Sequence, residues 1–144
     1  MEGRFTLRTD GGARGNPGPA GAGFVLEDPT GAIVRGGGTF LGVATNNVAE
    51  YRALIIGLQA AAAAQVRELR VCADSELVVR QLNGSYRVRN EGLRPLYAEA
   101  CSLLDRFEIH EVVHVRREQN AAADALANEA MDRRTDVGDM PAGG

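Results

Sequence analysis

The chain reads as an α/β protein in which three antiparallel strands are followed by two parallel ones in a single five-stranded mixed sheet flanked by helices. Three observations predict this class. Polar and apolar residues alternate in short runs near the N-terminus, separated by turn residues, which is the period of half-buried strands. At Val48 the period changes to that of a helix, rich in Ala and Leu. Beyond it, short strand-like runs alternate with helical ones, the pattern that places strands parallel through crossover helices.

The elements follow in order. Phe5, Leu7 and Thr9 alternate with Thr6, Arg8 and Asp10, so Asp10 closes a strand on its polar face. Gly21 to Glu27 is a second strand, Asp28-Pro29-Thr30-Gly31 a turn, and Ile33 to Leu41 a third strand interrupted by Gly36-Gly37-Gly38. Their short connections imply an antiparallel meander. Val48 to Ala64 is a helix with Leu54, Ile55, Leu58, Ala61 and Ala62 at helical spacing. Asn47 is its expected N-cap, with Glu50 completing a capping box. Glu68 to Asp74 is a strand that, like the first, ends in an acid. Ser75 to Leu82 is a helix capped by Ser75 or Asp74 and ended by Asn83-Gly84-Ser85. Arg94 to Arg106 is a helix with Pro95 in its first turn, Phe107 to Arg116 a fifth strand, and Asn120 to Met131 a final helix capped by Asn120. Residues 1–131 form one expected domain, and 132–144 have little to bury and read as a flexible C-terminal tail.

Composition narrows the function. With 44% hydrophobic and 24% charged residues, 144 residues suit one globular domain with a substantial core. No run is long and apolar enough to span a membrane, and Met1 to Arg8 lacks a signal-peptide core. Cys72 and Cys101 read as small buried hydrophobes, which points to a cytoplasmic location. All sixteen basic residues are Arg and the net charge is −3, unfavourable for general nucleic-acid binding unless charge is segregated. It is segregated: Arg80, Arg87, Arg89 and Arg94 share one segment, and Arg116-Arg117 form another.

The Gly-rich run after Thr9 has several superficial readings. Gly12 to Gly23 falls into Gly-x-y triplets, but the period stops at Phe24, so it is no collagen helix. A phosphate-binding Walker loop needs a Lys that this chain lacks. A dinucleotide fingerprint should open a helix, and here a strand follows. What remains is a loop of bare amides beside a carboxylate at a strand end, suited to a metal ion and a phosphodiester. If the first and fourth strands are neighbours, Asp10 and Asp74 stand side by side at their carboxyl ends, where open α/β sheets place their sites. Glu50, in the first turn of the crossover helix, can start from the same edge.

The runs Thr9-Asp10-Gly11-Gly12, Gly15-Asn16-Pro17-Gly18-Pro19, Thr45-Asn46-Asn47-Val48-Ala49-Glu50, Asp74-Ser75 and Asn120-Ala121-Ala122-Ala123-Asp124-Ala125-Leu126-Ala127 resemble type 1 ribonuclease H. They occur in that family's order and span about Arg4 to Met131. The resemblance implies the ribonuclease H-like fold in a single domain acting on RNA–DNA hybrids. It implies hydrolysis of the RNA strand by a two-metal-ion mechanism that leaves 5′-phosphate and 3′-hydroxyl ends. The catalytic and metal-binding roles fall on Asp10, Glu50, Asp74 and Asp124. Mg²⁺ or Mn²⁺ would serve, since hard cations prefer oxygen ligands and two of them about 4 Å apart can serve both attacking and leaving oxygens. Asp10 would bridge both ions, Glu50 and Asp74 would hold the leaving-group side, and Asp124 the water side.

Selecting RNA requires contact with the 2′-hydroxyl. The bare backbone from Gly11 and Gly12 through Arg14 to Asn16 is expected to reach ribose hydroxyls, and Glu50 to accept from the one beside the cut. The resemblance implies that Asn16, Asn46 and Asn47 line the RNA minor groove and that Thr45 contacts a DNA-strand phosphate. Ser75 joins the substrate-binding set, and Tyr86 lies where such enzymes carry an aromatic against the DNA strand. A covering role over the core is the alternative for Tyr86.

Two departures from the family pattern stand out. Larger bacterial members carry a basic handle after the second helix, whereas only Asn83 to Leu93 fills that place, with Arg87 and Arg89 as its basic content. Weaker and steeply salt-dependent substrate binding is the expectation. The family also often has a flexible His-bearing loop before the fourth acid, but here Arg116-Arg117-Glu118-Gln119 runs almost directly into the last helix. His114 reads as a strand residue packed against a helix rather than as a proton shuttle. A monomer with no obligate protein partner is expected. A hybrid- or duplex-RNA-binding module with little turnover is the alternative function, disfavoured because a binder has no use for mutually repelling carboxylates. A related two-metal nuclease acting on DNA is disfavoured by the ribose-reading loops.

Overall fold

A computed structural model of the chain describes residues 3–138. In chain order the strands are β1 (Arg4–Ala13), β2 (Gly18–Glu27), β3 (Ile33–Ala44), β4 (Glu68–Ala73), β5 (Ile109–His114) and β6 (Val137–Gly138). The helices are α1 (Asn46–Ala63), α2 (Glu76–Leu82), α3 (Arg94–Leu104) and α4 (Ala121–Arg133), the last preceded by a 3₁₀ turn over Arg117–Asn120. The sheet order is β5-β4-β1-β2-β3-β6. β1, β2 and β3 form the antiparallel meander, and β4 and β5 lie parallel to β1 as expected.

The sheet has six strands, one more than the sequence predicts. The residues after Met131, read as a tail, continue α4 to Arg133, and Val137–Gly138 then pair antiparallel with Gly37–Gly38 of β3. Val137 is buried, so this short strand has an apolar anchor that a composition argument over 132–144 averages away. Residues 139–144 lie outside the described residues.

The main core lies between the sheet and α1, where Leu54, Leu58, Ala61 and Tyr51 pack on Leu7, Phe24, Leu69 and Val71. Burying one such Leu side chain contributes about 1.5–3 kcal/mol. α1 is apolar over most of its surface because β1 and β2 cover one side and α3 another.

On the opposite face α4 rests on β2 and β3, and glycine makes the approach possible. A Cβ at Gly23 would meet the Ala123 carbonyl and sit 2.8 Å from the Ala127 nitrogen. At Gly21 it would sit 2.6 Å from the Ala127 oxygen. Any side chain at these positions would lift the helix off the sheet.

Four local expectations are revised. β1 does not stop at Asp10 but stays paired with β2 out to Ala13–Ala20, so the Gly11-Gly12 segment is strand and the turn follows it. α1 is capped by Thr45, whose Oγ1 accepts from the Val48 nitrogen, not by Asn47. The capping box fails because the Glu50 side chain turns away to β1. β5 is shorter than Phe107 to Arg116 and ends at His114, while Phe107 is buried just before it.

Candidate active site

Asp10 stands at the position where the β1–β4 ladder ends, one residue past the Thr9–Ala73 pair. That register puts Asp74, the residue after Ala73, directly beside it. Across the β1–β2 ladder Asp10 pairs with Gly23, the glycine on which the Ala123 carbonyl rests. Asp124, the next residue of α4, is thereby brought close enough to Asp10 to raise its carboxyl pKa. On the other side the Gly11 nitrogen donates to Glu50 Oε1 at 2.7 Å. A Cβ on Gly11 would strike the Ala49 carbonyl and lie 2.7 Å from the Glu50 nitrogen, so only glycine lets α1 begin this close to β1. Each acid is thus placed by a backbone relation to Asp10 or its neighbour.

Asp10, Glu50 and Asp74 each offer a carboxylate oxygen within 4.8 Å of the others. All are half-buried. Burial, a hydrogen bond with Asp124 and the negative charges of Asp74 and Asp124 push the Asp10 carboxyl up to about 8. Glu50 is raised well above the ordinary carboxylate range by burial first and then by the charge of Asp74, against the lowering effect of the Gly11 hydrogen bond. Such a set is poorly stable as bare anions and well matched to a hard divalent cation, which relieves both desolvation and repulsion. The donor chemistry therefore fits a metal ion, which these three acids would hold with Asp124 alongside.

The acids open into a cleft of about 410 Å³ lined also by Gly11, Gly12, Arg14, Asn46, Asn47, Ser75 and Arg117. Its rim is cross-braced. Asn16 Oδ1 accepts from the Asn46 nitrogen at 3.1 Å, and Asn46 Oδ1 accepts from the Ala13 nitrogen at 2.8 Å. Thr45 is occupied as the α1 cap and Ser75 as the α2 cap, its Oγ accepting from the Val78 nitrogen. Arg14 reaches across to α4, ion-paired with Asp132 at 2.7 Å.

The remaining predicted substrate residues lie elsewhere. Tyr86 and Arg87 line a second hollow of about 580 Å³ with Gln81, Arg94 and Tyr97. Tyr86 is 46% exposed, with the Arg80 guanidinium 5.2 Å from its ring centre, so it does not cover the core. Arg89 is exposed and lines neither hollow.

His114 is not packed against a helix. It is exposed at the end of β5, an edge strand of the sheet, with Nε2 3.2 Å from the Asp74 carbonyl oxygen. Sequence periodicity places it on the face of Val112 but cannot show that the end of the strand is left exposed.

Residues not foreseen also line the cleft: Asn128 and Met131, one and two turns beyond Asp124 on α4. Their i+4 and i+7 spacing from Asp124 is the one signal that could have found them. Arg117 lies 3.9 Å from Asp124 as a largely exposed ion pair. Asn120 is the largest surprise. Expected as a helix cap, it makes no side-chain cap and is fully buried, its Nδ2 donating to the Thr9 and Cys72 carbonyls. Its Oδ1 has no hydrogen-bond partner among the described residues, a state that costs about 1–3 kcal/mol. No helix among the described residues is long and apolar enough to cross a membrane.

Comparison with known proteins agrees with this geometry. The family model described as reverse transcriptase-like matches residues 8–130. Ribonuclease HI of Halobacterium salinarum is 46% identical over 130 residues, covering 90% of this chain and 65% of that protein. A bifunctional protein of Mycobacterium tuberculosis is 42% identical over 130 residues, 90% of this chain but 36% of its own length. The chain therefore spans less than two thirds of these relatives. Among solved structures, RNase H1 from Halobacterium salinarum superposes with a TM-score of 0.88 at 46% identity, covering 91% of this chain and 99% of that one. LC11-RNase H1, solved in complex with an RNA/DNA hybrid, superposes with a TM-score of 0.85 at 41% identity, covering 90% and 98%. Sheet order, the convergence of acids on Asp10, and identity sustained across nearly the whole chain agree: the chain belongs to the type 1 ribonuclease H family.

Proposed function

We propose that this chain is an endoribonuclease that hydrolyses the RNA strand of RNA–DNA hybrids with Mg²⁺ or Mn²⁺, leaving 5′-phosphate and 3′-hydroxyl ends. The observation that carries this reading is the gathering of Asp10, Glu50 and Asp74 within 4.8 Å, with Asp124 lining the same open cleft. A relative of 41% identity has been solved with such a hybrid, which supports the same substrate here.

Asp10, Glu50, Asp74 and Asp124 would hold the divalent ions, Asp10 shared between them, Glu50 and Asp74 serving the leaving-group oxygen and Asp124 the attacking water. Bound divalent ions supply an activated water and neutralise charge on the scissile phosphate. Water oxygen bonds to phosphorus, the bond to the 3′ oxygen breaks, and that oxygen leaves as a hydroxyl. The chain's own part is to orient the phosphate over the four acids. Asn16, Asn46 and Asn47 on the cleft edge, together with the Gly11–Gly12 stretch, would read 2′-hydroxyls of the RNA strand, the Gly11 N–H itself being engaged by Glu50. Ser75 and Arg14 complete that side, while Thr45 contacts a DNA-strand phosphate and Tyr86, Arg87 and Arg89 take the DNA strand. Binding as a monomer with a cytoplasmic location fits this role.

Cleavage assays on matched RNA–DNA hybrid, RNA duplex and DNA duplex, with and without Mg²⁺ or Mn²⁺, test the proposal. Metal-dependent cutting of the hybrid's RNA strand is expected. Tight hybrid binding with no cutting in either metal would instead favour a binding module.

A further inference from the structure

Parallel strands are held together only as far as their ladder runs, and that of β1 and β4 stops at Thr9–Ala73. Immediately beyond it sit Asp10 and Asp74, two carboxylates whose charges push them apart. At this point Asn120 intervenes. One amide nitrogen donates to the Thr9 carbonyl at 2.9 Å and to the Cys72 carbonyl at 3.2 Å. Both of its hydrogens are spent on joining the two acid-bearing strands, one residue before Asp10 and two before Asp74.

Three further facts set Asn120 apart from an ordinary buried asparagine. It is completely buried. Its Oδ1 has no hydrogen-bond partner among the described residues, although buried polar atoms are nearly always paired. It also immediately precedes α4, so the same residue anchors the first turn of the helix that carries Asp124. A site that tolerates an unpaired acceptor in order to place two donors is built around those donors.

We propose that Asn120 is a positioning residue of the metal site, setting the separation of Asp10 and Asp74 and the origin of Asp124 by bridging β1 and β4. The proposal rests on reading the cleft as a metal-dependent hydrolytic site. It touches neither ion nor substrate, and acts only through the backbone that bears the ligands. Groups that orient metal ligands from behind typically alter metal affinity or activity by about 10–100-fold when removed.

The test uses the whole chain with Asn120→Ala, which removes both donors, and Asn120→Asp, which keeps the shape but sets a carboxylate against two carbonyls. Mn²⁺ binding to the substrate-free protein is measured by calorimetry, and kcat and KM for a hybrid are measured below the melting temperature of each variant. The expected result is Mn²⁺ binding weakened at least about tenfold and kcat lowered at least about tenfold. KM should stay within about twofold, because Asn16 and Asn46 are braced independently of Asn120. A merely structural Asn120 would lower the melting temperature yet leave metal affinity and kcat unchanged in the folded protein, and that result overturns the proposal. If Asn120→Ala does not fold, Asn120→Ser, which retains one donor, is judged by the same Mn²⁺ criterion. A wild type that neither binds Mn²⁺ nor cleaves would overturn the proposed function and this role together. An active wild type beside a variant of unchanged Mn²⁺ affinity overturns this role alone.

Discussion

The backbone nitrogen of Gly11 donates to Glu50 Oε1 across 2.7 Å, tying the strand that carries Asp10 to the first turn of the crossover helix at the site itself. The bond explains both the glycine and the missing capping box. Gly11 must lack a side chain for α1 to come so near, and Glu50 is already committed when the helix begins.

Gly11→Ala is expected to lower stability by about 1–3 kcal/mol, because its methyl would overlap the Ala49 carbonyl. Displacing α1 also moves Glu50, so cleavage should fall by more than the folded fraction accounts for. Urea unfolding together with kcat at matched folded fraction checks this. Full stability and activity would mean that the helix can shift at no cost.

Asp10→Asn should abolish metal-dependent cleavage while leaving the fold intact. Near-wild-type cutting of a hybrid would remove Asp10 from the site.

The same substitution has a pH signature. Asp10 is raised from its ordinary 3.8 to about 8 in the folded chain. Between those values the folded state holds a proton that the unfolded chain has lost, so stability without metal falls as pH rises from about 4 to about 8. Glu50, also raised, acts in the same direction. Melting temperatures in a chelator should therefore drop from pH 5 to pH 8 for the wild type and drop less for Asp10→Asn. Equal slopes would show that Asp10 carries no such proton.

Replacing Arg87 and Arg89 by Ala should raise KM far more than it lowers kcat, since both are exposed and away from the acids. The slope of log KM against log salt should flatten by up to about two units if each contacts a phosphate. An unchanged slope would place the DNA-strand surface elsewhere.

His114→Ala is now expected to change stability by no more than about 0.5 kcal/mol, because the ring is exposed and contributes one bond to the Asp74 carbonyl. kcat should stay within a few-fold. A hundredfold, pH-dependent loss of kcat would restore a proton-shuttle role.

Much of the architecture followed from the chain read alone. Hydrophobic period is a local property, so the meander, α1, the parallel strands and α4 were visible wherever apolar residues recur at two or about 3.6 residues. The acids Asp10 and Asp74 were visible as partners because each ends a strand run, and parallel pairing of those strands brings their ends together. Asp124 and the roles of all four came from the family resemblance, not from any spacing.

What the tertiary structure decided is where long side-chain hydrogen bonds end. Glu50 reaches back 39 residues to Gly11, and Asn120 reaches 111 residues to Thr9. Nothing in the neighbouring sequence distinguishes these from local caps, because the cap and the distant partner present the same backbone donors and acceptors. Thr45, not Asn47, caps α1; Val137 finds β3; His114 is left uncovered. Each outcome depends on which surface arrives nearby after the sheet and helices have packed, and proximity in space is not a property of a local run of residues.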